Sequence, residues 1–210
     1  MAAELKTHAQ ALARWNERYA ARGYLFGETP NAYLVSKVNL LPAKGRALSV
    51  ADGEGRNSTW LAALGLSVDA FDFSPVAIEK ARALAEHRHL KVDYAVADAL
   101  ALTWPKAMYD VIVAIFIQFA TAEERARLFS SIRDALKPGG VFVLQGYRTD
   151  QLKYRTGGPA EASQLYEPDQ LRAELAGLDI VDMAVYDTEI YEGTGHRGMS
   201  ALVGLTARKP

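Results

Sequence analysis

The chain has 210 residues, half of them hydrophobic and 23% charged, a composition that supports one folded domain with a sizeable core and excludes disordered and fibrous architectures. With 24 Lys and Arg against 25 Asp and Glu the formal charge is -1, and no basic run is dense enough to neutralise a series of phosphates, so no nucleic-acid partner is expected. Cysteine is absent, which removes disulfides, thiolate nucleophiles and cysteine-ligated zinc; no metal site is expected. The first two dozen residues mix charged and apolar side chains as a signal peptide does not, and no run reaches the roughly 20 apolar residues of a membrane span. The expected setting is the cytoplasm, with no membrane partner.

From Ala2 to about Tyr24, Leu5, Ala9, Leu12, Ala13, Trp15 and Tyr19 recur at helical spacing, so one or two helices precede the main fold. Gly23 to Pro30 is a loop, and Asn31 to Leu41 resumes a helical pattern ending at Pro42. Short apolar runs then alternate with amphipathic stretches. Strands are expected at Ala47–Ala51, Ser67–Phe71, Lys91–Ala95, Tyr109–Ile115 and Val141–Gln145, and helices at Asn57–Leu64, Pro75–Glu86 and Ala122–Leu136. A helix at Glu167–Glu174 follows. The last strands, Asp179–Thr188 and Ala201–Ala207, are joined by a flexible glycine-rich loop, Glu192–Ser200, with no crossover helix, and must be antiparallel. The fold class is therefore α/β: a doubly wound, mostly parallel seven-stranded sheet with a C-terminal antiparallel hairpin. It forms one domain, with residues 1–42 a helical lid and 43–210 a Rossmann-like core.

The densest chemistry lies in Leu48-Ser49-Val50-Ala51-Asp52-Gly53-Glu54-Gly55-Arg56-Asn57, where a strand runs into two glycines and then a helix. Such a turn lets a ligand approach the backbone and directs N–H groups at it. Asp72 ends the next strand nineteen residues beyond Gly53, the distance at which a doubly wound fold places a carboxylate on ribose hydroxyls. Asp98, after the third strand, is placed to accept from an adenine amine. The dinucleotide fingerprint G-x-G-x-x-G fails, because its third position is Ser58, and no phosphate-binding G-x-x-x-x-G-K-[ST] is present.

The order of this turn, Asp72, Val96-Ala97-Asp98, Tyr109-Asp110-Val111-Ile112, Leu136-Lys137-Pro138-Gly139-Gly140 and a terminal hairpin resembles the class I S-adenosylmethionine methyltransferases. Trp15-Asn16-Glu17-Arg18-Tyr19, Tyr24-Leu25-Phe26-Gly27 and Pro30-Asn31 further resemble the small bacterial tellurite-resistance and thiopurine-methyltransferase-like group. Ser49 and Ala51 depart from it, standing where that loop usually has an acidic residue and its first glycine. Asp52 can replace the carboxylate only by turning toward the cofactor's ammonium. The resemblance implies S-adenosylmethionine as cofactor and S-adenosylhomocysteine as product. It also implies a cofactor site of Tyr19, Tyr24, Asp52, Gly53, Glu54, Gly55, Arg56, Asn57, Asp72, Phe73, Ser74, Asp98, Ala99, Ile115 and Phe116. The small-molecule acceptor would meet a wall drawn from Gln118, Tyr147, Arg148 and His196, with Phe116, Gln145, Tyr154 and Tyr166 beside them and Arg197 available to orient an anion. Trp15, Tyr19 and Tyr24 are candidates for an aromatic lid. An NAD(P)-dependent reductase on a related sheet and a non-catalytic S-adenosylmethionine-binding protein are the alternatives.

Overall fold

The structure is a computed structural model that describes the backbone of residues 2–210 and the side chains of residues 8–210, so the side chain of Leu5 lies outside the described residues. In chain order the elements are α1 (Ala2–Ala20), α2 (Ala32–Ser36), β1 (Arg46–Val50), α3 (Arg56–Ala63), β2 (Ser67–Asp72), α4 (Pro75–His87), β3 (Asp93–Val96), β4 (Tyr109–Ile115), α5 (Ala122–Ala135), β5 (Leu136–Tyr147), α6 (Gln151–Tyr154), α7 (Pro168–Glu174), β6 (Asp179–Glu192) and β7 (His196–Arg208). The sheet order is β3-β2-β1-β4-β5-β7-β6, with β1 to β5 parallel and β7 antiparallel to both neighbours. The winding direction reverses between β1 and β4, and a doubly wound sheet opens its binding crevice beyond the carboxyl ends of the strands flanking that reversal.

Alternation along each strand builds the two layers. Leu48, Ile112, Ala114, Phe142 and Leu144 face α5 and α7, packing with Leu128, Phe129, Ile132 and Leu171. Their neighbours Ala47, Val111, Val113, Val141 and Val143 face the other way, against Tyr33 and Leu34 of α2 and Leu61 of α3. A strand segment buried on both faces must be apolar at every position, which is why β4 reads as an unbroken hydrophobic run from Val111 to Ile115. Local chemistry fixes the helix starts: Ser74 accepts from the Ala77 N–H at 3.2 Å with Pro75 at the first helical position, and Thr121 and Glu124 form a reciprocal capping box.

The end of the chain differs from its sequence expectation. β6 and β7 pair continuously out to Glu192 and His196, leaving only Gly193–Gly195 as a turn. Gly193 adopts φ 61°, and a Cβ there would lie 2.4 Å from the Leu25 carbonyl oxygen, which accepts from Thr194 N at 2.9 Å and Gly195 N at 2.8 Å. The glycines thus serve a tight turn docked on the Leu25–Gly27 segment, and His196 is a buried strand residue rather than part of a flexible loop. The expected Asn31–Leu41 helix is also shorter: α2 stops at Ser36 and one 3₁₀ turn, Val38–Leu40, follows.

Candidate active site

The glycine turn leaves β1 through Ala51, a non-glycine residue at φ 47°, and continues through Gly53 at φ 64° and Gly55 at φ 92°. Side chains at positive φ are strained, and such positions concentrate at binding sites. The two glycines are small for different reasons. A Cβ on Gly55 would lie 2.9 Å from Ala81 Cα and 2.9 Å from Tyr94 Oη, so α4 packs directly on the backbone there. A Cβ on Gly53 would meet only the Tyr19 hydroxyl, at 3.1 Å, on the crevice side.

Asp72 sits beneath this turn, nearly fully buried, accepting from Gly53 N at 3.0 Å and from Ser74 N at 2.9 Å. Burial raises its pKa to about 6 despite those hydrogen bonds. The Asp52 carboxylate is engaged within the turn: Oδ1 accepts from Ser49 Oγ at 2.6 Å and from Ser58 N at 3.2 Å, and Oδ2 accepts from Ser58 Oγ. Ser49 therefore takes up the neighbouring carboxylate instead of standing in for one. Burial raises the Asp52 pKa as well.

The leading helix crosses the crevice lengthwise. His8 Nδ1 stands 3.5 Å from Asp98 Oδ2 and its ring lies edge-on to Phe73, Asn16 Oδ1 accepts from Ser74 Oγ at 2.6 Å, and Tyr19 covers Gly53. A clasp holds its carboxyl end: Lys80 Nζ donates to the carbonyls of Tyr19 at 2.7 Å and Ala21 at 3.0 Å and pairs with Glu54 Oε1 at 2.6 Å, while Glu54 Oε2 accepts from Leu25 N at 2.6 Å. Glu54 thus joins the turn to the segment that follows α1. Tyr24 lies at the clasp, with Lys80 Nζ 5.5 Å from its ring centre. Asn57 Oδ1 accepts from Asn31 N at 3.0 Å, fastening α3 to the start of α2. Ala99 and Ile115 are buried beside the crevice.

Beyond β4 and β5 an aromatic cluster forms around His196. Its ring centre lies 4.3 Å from that of Phe26, 4.2 Å from Phe116 and 5.7 Å from Tyr147, and Phe26 continues to Tyr19 at 6.3 Å, which stacks on Trp15 at 5.4 Å. Phe116 adopts φ 56°, a strained backbone at a strand end. A polar network lies alongside: Arg56 Nη2 donates to Glu192 Oε2 at 2.8 Å, and Asn31 Nδ2 donates to Glu192 Oε1 at 2.9 Å and Gln145 Oε1 at 2.6 Å. Burial pushes the Glu192 carboxyl up, but His196 and Arg56 more than offset it and bring it to about 2.

The remaining wall candidates are engaged with other parts of the protein. The Gln118 amide is committed to the main chain, donating to Tyr147 O at 2.9 Å and Gln164 O at 3.1 Å and accepting from Tyr147 N at 2.6 Å. Tyr166 is a core residue beside Phe129. Arg148 pairs with Asp150 at 2.6 Å and with Asp187, whose other oxygen accepts from Tyr154 Oη at 2.6 Å, and Arg197 lies 6.0 Å from the Tyr191 ring on the exposed side of the hairpin. Conversely, Glu192, Lys80 and Asn31, not singled out as site residues, are brought against Arg56, Glu54 and Asn57 of the glycine turn and its helix. Asn31 had a motif around it, whereas Glu192 and Lys80 acquire meaning only through contacts made by distant segments.

Residues 47–140 match the family model described as "Methyltransferase domain". A ubiquinone biosynthesis O-methyltransferase of Cereibacter sphaeroides is 29% identical over 158 residues, covering 68% of this chain and 64% of that protein, so the chain spans a little under two thirds of the curated relative's length. A solved structure described under "Conversion of a Disulfide Bond into a Thioacetal Group during Echinomycin Biosynthesis" superposes with a TM-score of 0.75 at 22% identity, over 95% of this chain and 89% of the other. TehB from Haemophilus influenzae superposes with a TM-score of 0.69 at 20% identity, over 85% of this chain and 61% of the other. The sheet order is that of the Rossmann-like methyltransferase fold, and the family match runs from β1 through β4 into the start of β5.

Proposed function

We propose that this protein transfers the methyl group of S-adenosylmethionine to a small-molecule acceptor by in-line displacement, working as one cytoplasmic domain whose first 42 residues form the lid. The observation that carries this reading is the glycine turn with a buried carboxylate beneath it and an aromatic helix across it. The donor set fits the cofactor: Asp72 offers a carboxylate to ribose hydroxyls, Asp98 an acceptor for the adenine amine, Phe73 and Ile115 apolar surface for the base, and Gly53 a side free of Cβ. When bound, the cofactor supplies an electrophilic methyl group on a sulfonium whose leaving sulfide needs no proton. What remains for the chain is proximity, orientation and exclusion of water. α1 closes the crevice, and Phe26, Phe116, Tyr147 and His196 give the acceptor an aromatic surface. The segments that resemble the tellurite-resistance and thiopurine-methyltransferase-like group, residues 15–19, 24–27 and 30–31, build that lid and its clasp, which supports an acceptor small enough to be enclosed.

The test is titration calorimetry with S-adenosylmethionine and S-adenosylhomocysteine, followed by an acceptor screen that reads S-adenosylhomocysteine release. Micromolar binding of both and turnover with at least one acceptor are expected. Absence of binding at millimolar concentration refutes the reading. Binding of a nicotinamide cofactor instead would favour a reductase, and binding without turnover of any acceptor a non-catalytic binding protein.

A further inference from the structure

Helical spacing of about 100° per residue sets the order of side chains around the inner side of α1 as Asn16, Tyr19, Trp15 and Arg18. Asn16 meets Ser74 and Tyr19 covers Gly53, so one flank of the helix belongs to α4 and the glycine turn. Arg18 closes the other flank. Its Cζ lies 4.4 Å from the centre of the Trp15 ring and 5.8 Å from that of Phe26. Phe26 in turn lies 4.3 Å from the buried His196 of β7, whose ring is 4.2 Å from Phe116 at the end of β4. Arg18 therefore stands on the hairpin side of the crevice, against the aromatic surface assigned above to the acceptor.

Among the described residues no carboxylate pairs with this guanidinium, and none of its N–H groups donates a hydrogen bond. Burial depresses its pKa, Tyr19 raises it, Arg14 depresses it further, and no acid takes part. Its charge reaches His196 as well, where burial depresses the imidazole pKa, Glu192 raises it, and Arg56 and Arg18 depress it again. Arg56 and Lys80, which also border the crevice, are neutralised within the protein, by Glu192 at 2.8 Å and Glu54 at 2.6 Å. Taking a charge partly out of water without a counter-charge costs free energy, and a bound anion recovers it. Stacking on two rings fixes the guanidinium but consumes no N–H, so its planar fork can give two parallel hydrogen bonds to a carboxylate. A single uncompensated positive charge matches a monoanion, whereas a phosphate dianion calls for a second cation.

Building on the function proposed above, we propose that Arg18 is a specificity-determining residue that holds the carboxylate of the methyl acceptor, and that the acceptor is a small carboxylic acid, ionised at neutral pH. Trp15 and Phe26 orient the guanidinium, and the rest of the acceptor lies on Phe26 and Phe116 with its reacting atom toward the glycine turn. The cofactor's amino-acid part also carries a carboxylate, and the experiment separates the two sources.

Calorimetry and NMR titration measure the binding of benzoate, of its uncharged analogue benzamide and of phenyl phosphate to the protein saturated with S-adenosylhomocysteine. Benzoate is expected to bind roughly 10–100-fold more tightly than benzamide, the range of a charge-assisted pair, and more tightly than phenyl phosphate. Arg18→Met, which keeps the apolar stem, should abolish the advantage of benzoate, and Arg18→Lys should keep part of it. The Arg18 Nε–H signal should shift with benzoate and stay in place with benzamide, a response that packing alone does not give. Melting temperature and S-adenosylhomocysteine affinity should be unchanged in both variants. Benzoate binding no tighter than benzamide, an advantage that survives in Arg18→Met, or a preference for phenyl phosphate each overturns the inference. So does a loss of roughly tenfold or more in S-adenosylhomocysteine affinity in Arg18→Met, which would assign the guanidinium to the cofactor's own carboxylate. A wild type that binds no S-adenosylhomocysteine overturns the proposed function instead.

Discussion

Replacing Asp72 by Asn separates what this carboxylate does for the ligand from what it costs the fold. Its pKa of about 6 lies about two units above the ordinary aspartate value, and at 1.36 kcal/mol per unit the ionised form is destabilised by about 3 kcal/mol in the native state. The sign follows from the raised value. The folded chain holds the proton more tightly than the unfolded one, so wild-type stability falls as pH rises from about 4 through about 6. Asparagine removes the buried charge but must present its amide nitrogen to one of the two backbone N–H groups of Gly53 and Ser74, at a cost of about 1 kcal/mol. The ligand-free variant should therefore be more stable than wild type by about 2 kcal/mol at pH 8, and the difference should shrink by about 2 kcal/mol at pH 4.5. Urea denaturation of both proteins at the two pH values measures this, and thermal shift with S-adenosylhomocysteine should show that the variant has lost most of its ligand response. A difference between variant and wild type that does not change with pH would refute the account of Asp72 as a buried, ionisable ribose ligand.

Gly55→Ala forces a Cβ against Ala81 and the Tyr94 hydroxyl and should destabilise the ligand-free protein by about 2–3 kcal/mol in denaturant melts. Gly53→Ala meets only Tyr19 and should cost about 1 kcal/mol of stability while abolishing the S-adenosylhomocysteine thermal shift. Lys80→Ala removes the cation that gathers the Tyr19 and Ala21 carbonyls and the Glu54 carboxylate, so limited proteolysis between residues 20 and 26 should quicken with little change in global melting. Arg125→Ala leaves Glu174, which accepts two hydrogen bonds at 2.8 Å from the guanidinium, unpaired between α5 and α7, and should lower stability by about 3 kcal/mol on calorimetric unfolding.

Much of the fold was legible because its signals are local. The apolar run at Val111–Ile115, Ser74-Pro75 opening α4, and the alternation of short apolar runs with amphipathic stretches each depend on a few neighbouring residues, and together they give the doubly wound class, whereas the order of the strands belongs to the tertiary structure. The glycine turn and Asp72 were legible for the same reason: their spacing is a property of one strand–helix–strand unit. Which way each side chain turns was decided by tertiary packing. Asp52 could have faced a ligand but is drawn inward by Ser49 and Ser58, and Gly55 is small because α4 lies on it. Gln118 reads as a polar group at a strand end, yet the Tyr147 main chain consumes its amide. The glycines of 193–198 read as a loop until the hairpin register carried pairing through to Glu192 and His196. Sequence by itself determined the periodic and the local: strands, helices, caps and the glycine turn. The Arg56–Glu192–His196 network, and the clasp of Lys80 and Glu54 on α1, join residues up to 136 positions apart in the chain. Such partners meet only because the sheet order and the path of the leading helix bring them together, and no spacing within the sequence encodes that distance.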